Sequence, residues 1–159
     1  MRQLPEHGSC FICGSDNPKG LGIRWYARED GSISTEVTLG LTEQGPPGHA
    51  HGGVLAAILD EVMGTAAWQA GYMAMAANLN IDFRQPVPLG VPLQVMGNVM
   101  GTDGRKIYTR ADIRLPNGQI ATIGKGLFVE AKQMFASPEE SEFVKWLPDS
   151  NQKDSQADR

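Results

Sequence analysis

A histidine, a glycine pair and a carboxylate stand at a suggestive spacing in this chain: His51-Gly52-Gly53, with Asp60 nine residues after the histidine. From Val54 to Ala70 the sequence is apolar almost all round and broken by charge only at Asp60 and Glu61, which predicts a helix of about five turns buried on most faces. Gly53, Ala56, Ala57, Asp60, Gly64 and Ala67 then share one stripe, and Asp60 is its only large group. Small neighbours let a facing strand or a ligand come close. A carboxylate in that setting must be paired, hydrated or functional: it either does chemistry or forms a structural ion pair, for instance with Arg84.

Gly52 and Gly53 fall where the first helical N–H groups lack partners and the helix dipole is positive, so one of these amides is placed to receive a developing oxyanion. The plainer reading is that they only permit a tight turn. His51 sits about 13 Å of helical rise from Asp60, too far for contact within one chain, so a supporting role in holding the loop or a carbonyl is expected of it. Glu61, one position off the stripe, is expected at an interface or rim. Cys10 and Cys13 form a lone C-x-x-C. Four-ligand zinc sites usually draw on two such pairs or a pair with two histidines, and although His7 offers a third donor, a structural or incidental pair is expected rather than a zinc or redox site. Neither G-x-S-x-G nor a phosphate-binding glycine pattern occurs.

The elements that must position these residues read as one domain. The chain has 159 residues, of which 41% are apolar and 20% charged, enough for a single core. A net charge of -4 with 14 scattered Lys and Arg provides no basic footprint, so nucleic acid is not an expected partner. No apolar run reaches the ~20 residues of a membrane span, and the start lacks a secretory pattern, which makes the cytoplasm the expected location.

Residues 1–20 read as an irregular lead-in and 21–132 as the domain. Gly22 to Arg28 and Ser32 to Leu39 predict a hairpin, and the breaker Gly45-Pro46-Pro47-Gly48 leads into the helix. Strands follow around Ala77 to Phe83, Leu93 to Val99, Ile107 to Leu115 and Gln119 to Ala131, in the simplest topology a meander. Residues 133–148 predict a short helix, and 149–159 a disordered tail. A helix wrapped by an antiparallel sheet, an α+β arrangement, leaves a sheet edge that a second copy is expected to cover.

The stretch GPPGHAHGGVLAAILDEVMGTAAW followed by ANLNIDFRQPVPLG resembles the hotdog-fold acyl-CoA thioesterases of the PaaI-like and thioesterase-superfamily-member type, and CFICGSDNPKGLGI resembles the lead-in of one subgroup. The resemblance runs over roughly residues 10 to 130. It implies a hotdog fold, dimers that often pair into tetramers, active sites at subunit interfaces, acyl-CoA substrates and no metal or redox cofactor. It further implies that the Gly52 N–H polarises the thioester carbonyl with support from His51, while Asp60 attacks that carbonyl or activates a water. Two positions depart from the pattern. Ala76 stands where several relatives place a Ser or Thr, and Glu43-Gln44-Gly45 stands where others carry an Asn, which leaves Gln44 as the substitute. Substrate contacts are expected from Gly53, Gln44, Trp68, Ala76 and Asn78, with Arg84, Arg105, Lys106 and Lys125 as candidates for the CoA phosphates. Two other readings are compatible with these residues: a non-catalytic acyl-CoA-binding protein, and an enoyl-CoA hydratase or dehydratase.

Overall fold

The computed structural model describes residues 1–135, 147 and 148. Its central element, α1 (Gly52–Gln69), carries Leu55, Ile58, Leu59, Val62, Met63 and Trp68 into the core, as a helix apolar on nearly every side must. Seven antiparallel strands curve around it: β1 (Arg2–Gln3), β2 (Tyr26–Ala27), β3 (Ile33–Thr38), β4 (Ala74–Phe83), β5 (Pro92–Asp103), β6 (Lys106–Arg114) and β7 (Ile120–Glu130). Inward side chains of the strands, among them Ile33, Leu93, Val95, Ile107 and Ile113, meet the helix and are fully buried. Helix and sheet approach closely. A Cβ on Gly97 would stand 2.9 Å from Val62 Cγ2 and 3.0 Å from the Val62 carbonyl, and one on Gly124 would stand 3.4 Å from Leu59 Cβ.

The strand order is β1-β2-β3-β5-β6-β7-β4, which corrects the expected meander. After α1 the chain re-enters the sheet at the far side, pairs β4 with β7 and, among the described residues, leaves the other edge of β4 unpaired. The reason is the helix itself: it crosses the whole sheet between β3 and β4, so β3 is completed by β5 instead. The expected hairpin forms, with Ala27 opposite Ile33, but its first strand is only two residues long. Backbone groups upstream of Tyr26 are engaged elsewhere, the Ile23 N–H donating to Ile12 and the Trp25 carbonyl accepting from Leu4. Through these bonds the turn-rich lead-in is laid over the core, where Leu4, Ile12 and Cys13 are buried.

Midway along β4 the register slips between Ala76 and Asn78, a bulge at Ala77. Before it Ala74 and Ala76 face the helix; after it Leu79, Ile81 and Phe83 do, and Asn78 and Asn80 turn outward. Among the described residues no helix is long and apolar enough to cross a membrane. The short C-terminal helix and tail expected at 133–159 lie largely outside the described residues, although Lys132–Phe135 forms a 3₁₀ turn.

Candidate active site

Asp60 opens into a cavity of about 430 Å³ between the second half of α1, the start of β4 and the lead-in. Its walls are mostly apolar: Gly64, Trp68, Ala74, Met75, Ala76, Phe128 and Phe135, with Trp68 and Phe135 edge to face at 4.8 Å. Gly64 is where the helix can be approached, since a Cβ there would meet the Phe128 ring at 3.3 Å. Asp60 forms no hydrogen bond or ion pair among the described residues, and burial raises its pKa above the usual aspartate value. The structural ion pair with Arg84 is therefore not made; Arg84 is exposed and lies 3.9 Å from Asp82.

The other half of the predicted constellation lies at the opposite end of the same helix. His51 is the N-cap, its Nδ1 accepting the Gly53 N–H at 2.9 Å, while Val54 and Leu55 donate to its carbonyl. That leaves the Gly52 N–H without an acceptor among the described residues. The breaker loop holds this end in place: His51 N–H donates to Glu43, and Gly45 packs so tightly on His51 that a Cβ would come within 2.8 Å of its Cα. Gln44 is part of that brace, its Oε1 accepting from Gly48 N–H at 2.9 Å. Phe83 covers Gly52 from the end of β4.

The structure thus brings Asp60, Trp68 and Ala76 together and sets His51, Gly52, Gly53 and Gln44 apart from them. Asn78 was expected beside Ala76 on the cavity wall. Because of the bulge it lies on the outer face of the sheet, with Lys125 and Tyr108 around a separate groove of about 460 Å³. The remaining cations are scattered as well. Arg105 donates from Nε and Nη2 to the Glu130 carbonyl, and Lys106 is exposed beside it at the start of β6.

Glu61 corrects the expectation of a rim group. Its carboxylate turns inward to the same cavity wall, with Oε1 3.5 Å from Cys10 Sγ, and burial together with the charge of Cys10 pushes its pKa up to about 8. Cys13, hydrogen-bonded to Cys10, favours the thiolate on Cys10 and has its own pKa raised. His7 and Cys10 complete that wall, a contribution the helical stripe did not reveal. The signal was the even spacing His7-x-x-Cys10-x-x-Cys13.

The sequence profile described as Thioesterase superfamily matches residues 47–122, the stretch that holds the N-cap, α1 and most of the sheet. That stretch, just under half of the chain, matches the thioesterase superfamily domain. Mouse acyl-coenzyme A thioesterase THEM4 is 38% identical over 120 residues, which are 74% of this chain and 49% of that protein. A solved thioesterase superfamily protein is 41% identical, covering 77% of this chain and 61% of its own, with a TM-score of 0.75. The PaaI protein of E. coli, 21% identical, shares the fold with a TM-score of 0.65 over 70% of this chain and 80% of its own. The chain spans about half the length of the curated relatives it matches. Seven antiparallel strands around one long helix are the hotdog fold that superfamily implies.

Proposed function

We propose that this chain is an acyl-CoA thioesterase, hydrolysing the thioester to a free acid and CoA. The observation that carries the reading is Asp60: a carboxylate without a salt partner among the described residues, half-buried in a largely apolar cavity of about 430 Å³. In such a place the carboxylate is weakly solvated and basic, suited either to take a proton from water or to attack the carbonyl itself. Water adds to the acyl carbon, the C–S bond breaks, and CoA leaves with the proton. The Gly52 N–H, at a positive helix end and without an acceptor among the described residues, supports a role as donor to the developing oxyanion. The name of the mouse relative supports acyl-CoA as the substrate.

One chain does not join the two halves, and a second copy would. Gly52 lies under Phe83 at one end of β4, and Asp60 lies beside Ala76 near the other. An antiparallel copy paired along the free edge of β4 would carry its own Gly52 to the cavity of the first chain, and its Arg84 toward Arg105. Such an isologous pairing also satisfies an otherwise unpaired ten-residue strand edge. The cytoplasm is the proposed location, where Cys10 and Cys13 would persist as the free thiols they are here.

Release of CoA from a panel of acyl-CoAs, followed with a thiol reagent, tests the reading. Asp60→Ala should lower kcat/KM on the order of 10²–10⁴-fold, and unchanged turnover would remove Asp60 from the mechanism. Saturable acyl-CoA binding with no CoA release by the parent protein would favour the non-catalytic reading that Ala76, a wall residue lacking a hydroxyl, keeps open. Borohydride, which reduces an acyl anhydride on Asp60 to a homoserine residue detectable by mass spectrometry, separates attack by Asp60 from activation of water.

A further inference from the structure

A second cluster stands behind Asp60, and the proposed hydrolysis makes no use of it. His7, Cys10, Cys13 and Glu61 each offer one donor atom, and all four atoms lie within 4.8 Å of one another. Three come from the lead-in at regular three-residue intervals and the fourth from the middle of α1. Two edges of this tetrahedron already have the length that metal coordination requires. Cys13 Sγ is 3.8 Å from His7 Nδ1, and Cys10 Sγ is 3.5 Å from Glu61 Oε1. Zinc bonds of about 2.3 Å to sulfur and 2.0–2.1 Å to nitrogen or oxygen put tetrahedral donors about 3.3–3.8 Å apart.

We infer that His7, Cys10, Cys13 and Glu61 form a binding site for one zinc-class divalent cation, which fastens the lead-in to α1. The donor set decides the class of metal: two thiols and an imidazole suit a borderline-soft ion, and magnesium or calcium would demand oxygen ligands instead. Four protein donors fill a tetrahedral shell, so the ion would be structural and leave no position open for water.

The backbone around the cysteines is already shaped for this. Cys10 N–H donates to the His7 carbonyl at 2.7 Å and Gly14 N–H to the Cys10 carbonyl at 3.0 Å, while Ile12 N–H points to Cys10 Sγ at 3.4 Å. That last contact is the kind that steadies a ligating thiolate. Gly14 is indispensable to the turn, because a Cβ there would stand 2.3 Å from the Gly8 carbonyl oxygen and 2.5 Å from Cys10 N. From outside, Arg24 clamps the loop by donating to the Cys13 carbonyl at 2.6 Å and pairing with Glu6 at 2.9 Å. A loop so braced loses little further freedom when it closes on an ion.

The full-length protein, purified under reducing conditions without a histidine tag, should contain about one zinc per chain by mass spectrometry of the elements. After chelation, titration with cobalt(II) should produce a thiolate-to-cobalt charge-transfer band and the visible spectrum of four-coordinate cobalt, both abolished by added zinc. Cys10→Ser and Cys13→Ser should remove the charge-transfer band in proportion to the thiolate lost. Glu61→Gln should keep that band but weaken zinc binding by more than the roughly 10–100-fold that loss of an outer-shell partner costs. The cobalt titration of the unmutated chain decides the matter even where a cysteine variant does not fold. No cobalt spectrum from the reduced protein would overturn the inference. So would a Cys10–Cys13 disulfide in freshly isolated protein, or cobalt binding that Glu61→Gln leaves unchanged. None of these readouts involves hydrolysis, so the two proposals stand or fall separately.

Discussion

The ring of Phe83 lies over Gly52, its Cε1 and Cζ 3.4 Å from where a Cβ on that glycine would stand. The contact ties the end of β4 to the mouth of α1, and it leaves just enough room for one methyl group. Gly52→Ala should therefore fold, with a thermal midpoint equal to the parent's or above it, since alanine is the better helix former. The added methyl would crowd any carbonyl approaching the amide, and kcat/KM should fall about 10–100-fold. Thermal unfolding alongside steady-state kinetics checks both halves; full activity in the variant would take the Gly52 amide out of the proposed site.

His51 offers a test of stability that is independent of turnover. Replacing it with alanine strips the acceptor from the Gly53 N–H and should cost about 1 kcal/mol. Asparagine, which also caps through its side chain, should restore most of that loss. Urea titration of the three proteins measures the difference. Equal midpoints for His51→Ala and the parent would mean that the capping bond contributes nothing.

The pH dependence follows from burial of Asp60, which raises its pKa above the usual aspartate value of about 3.9. Only the ionised form can act, so kcat/KM should decline on the acid side with an inflection above that value. The sign for stability runs the other way. A raised native pKa means that the contribution of Asp60 is fully present below its unfolded pKa and is lost as pH rises through the folded one. At neutral pH, Asp60→Asn should accordingly unfold at a higher urea concentration than the parent while losing hydrolysis. A lower midpoint would show that the carboxylate makes favourable contacts instead.

Pairing through β4 can be broken from outside the core. Asn78 and Asn80 are exposed, and a twofold axis across the middle of the strand would set each close to its own copies. Asn78→Lys with Asn80→Lys places like charges across that axis and should shift sedimentation from dimer to monomer, with loss of CoA release. A parent protein that sediments as a monomer and still turns over would refute the shared site.

The helix and its carboxylate were legible in the sequence because a run that is apolar on all sides makes any charge within it conspicuous. The order of the strands was not, since nothing local says that β4 will travel past β3, β5 and β6 to reach β7. The side on which Asn78 emerges was hidden for a smaller reason: one extra residue at Ala77 reverses the alternation, and a bulge has no fixed signature. Glu61 misled through a sound argument carried too far. It does project about 100° away from Asp60 on an ideal helix, but the lead-in folds back against that face and turns a supposed rim into an interior wall.

Val62 and Met63 already crowd the space that side chains on Gly97 and Gly124 would need, so α1 rests directly on the backbones of β5 and β7. The helix has no slack in that direction. Whatever occupies the cavity, its size cannot be tuned by sinking the helix deeper or by enlarging those strand positions. Adaptation to bulkier or slimmer guests is channelled to the remaining walls: the opening residues of β4 and the segment carrying Phe135.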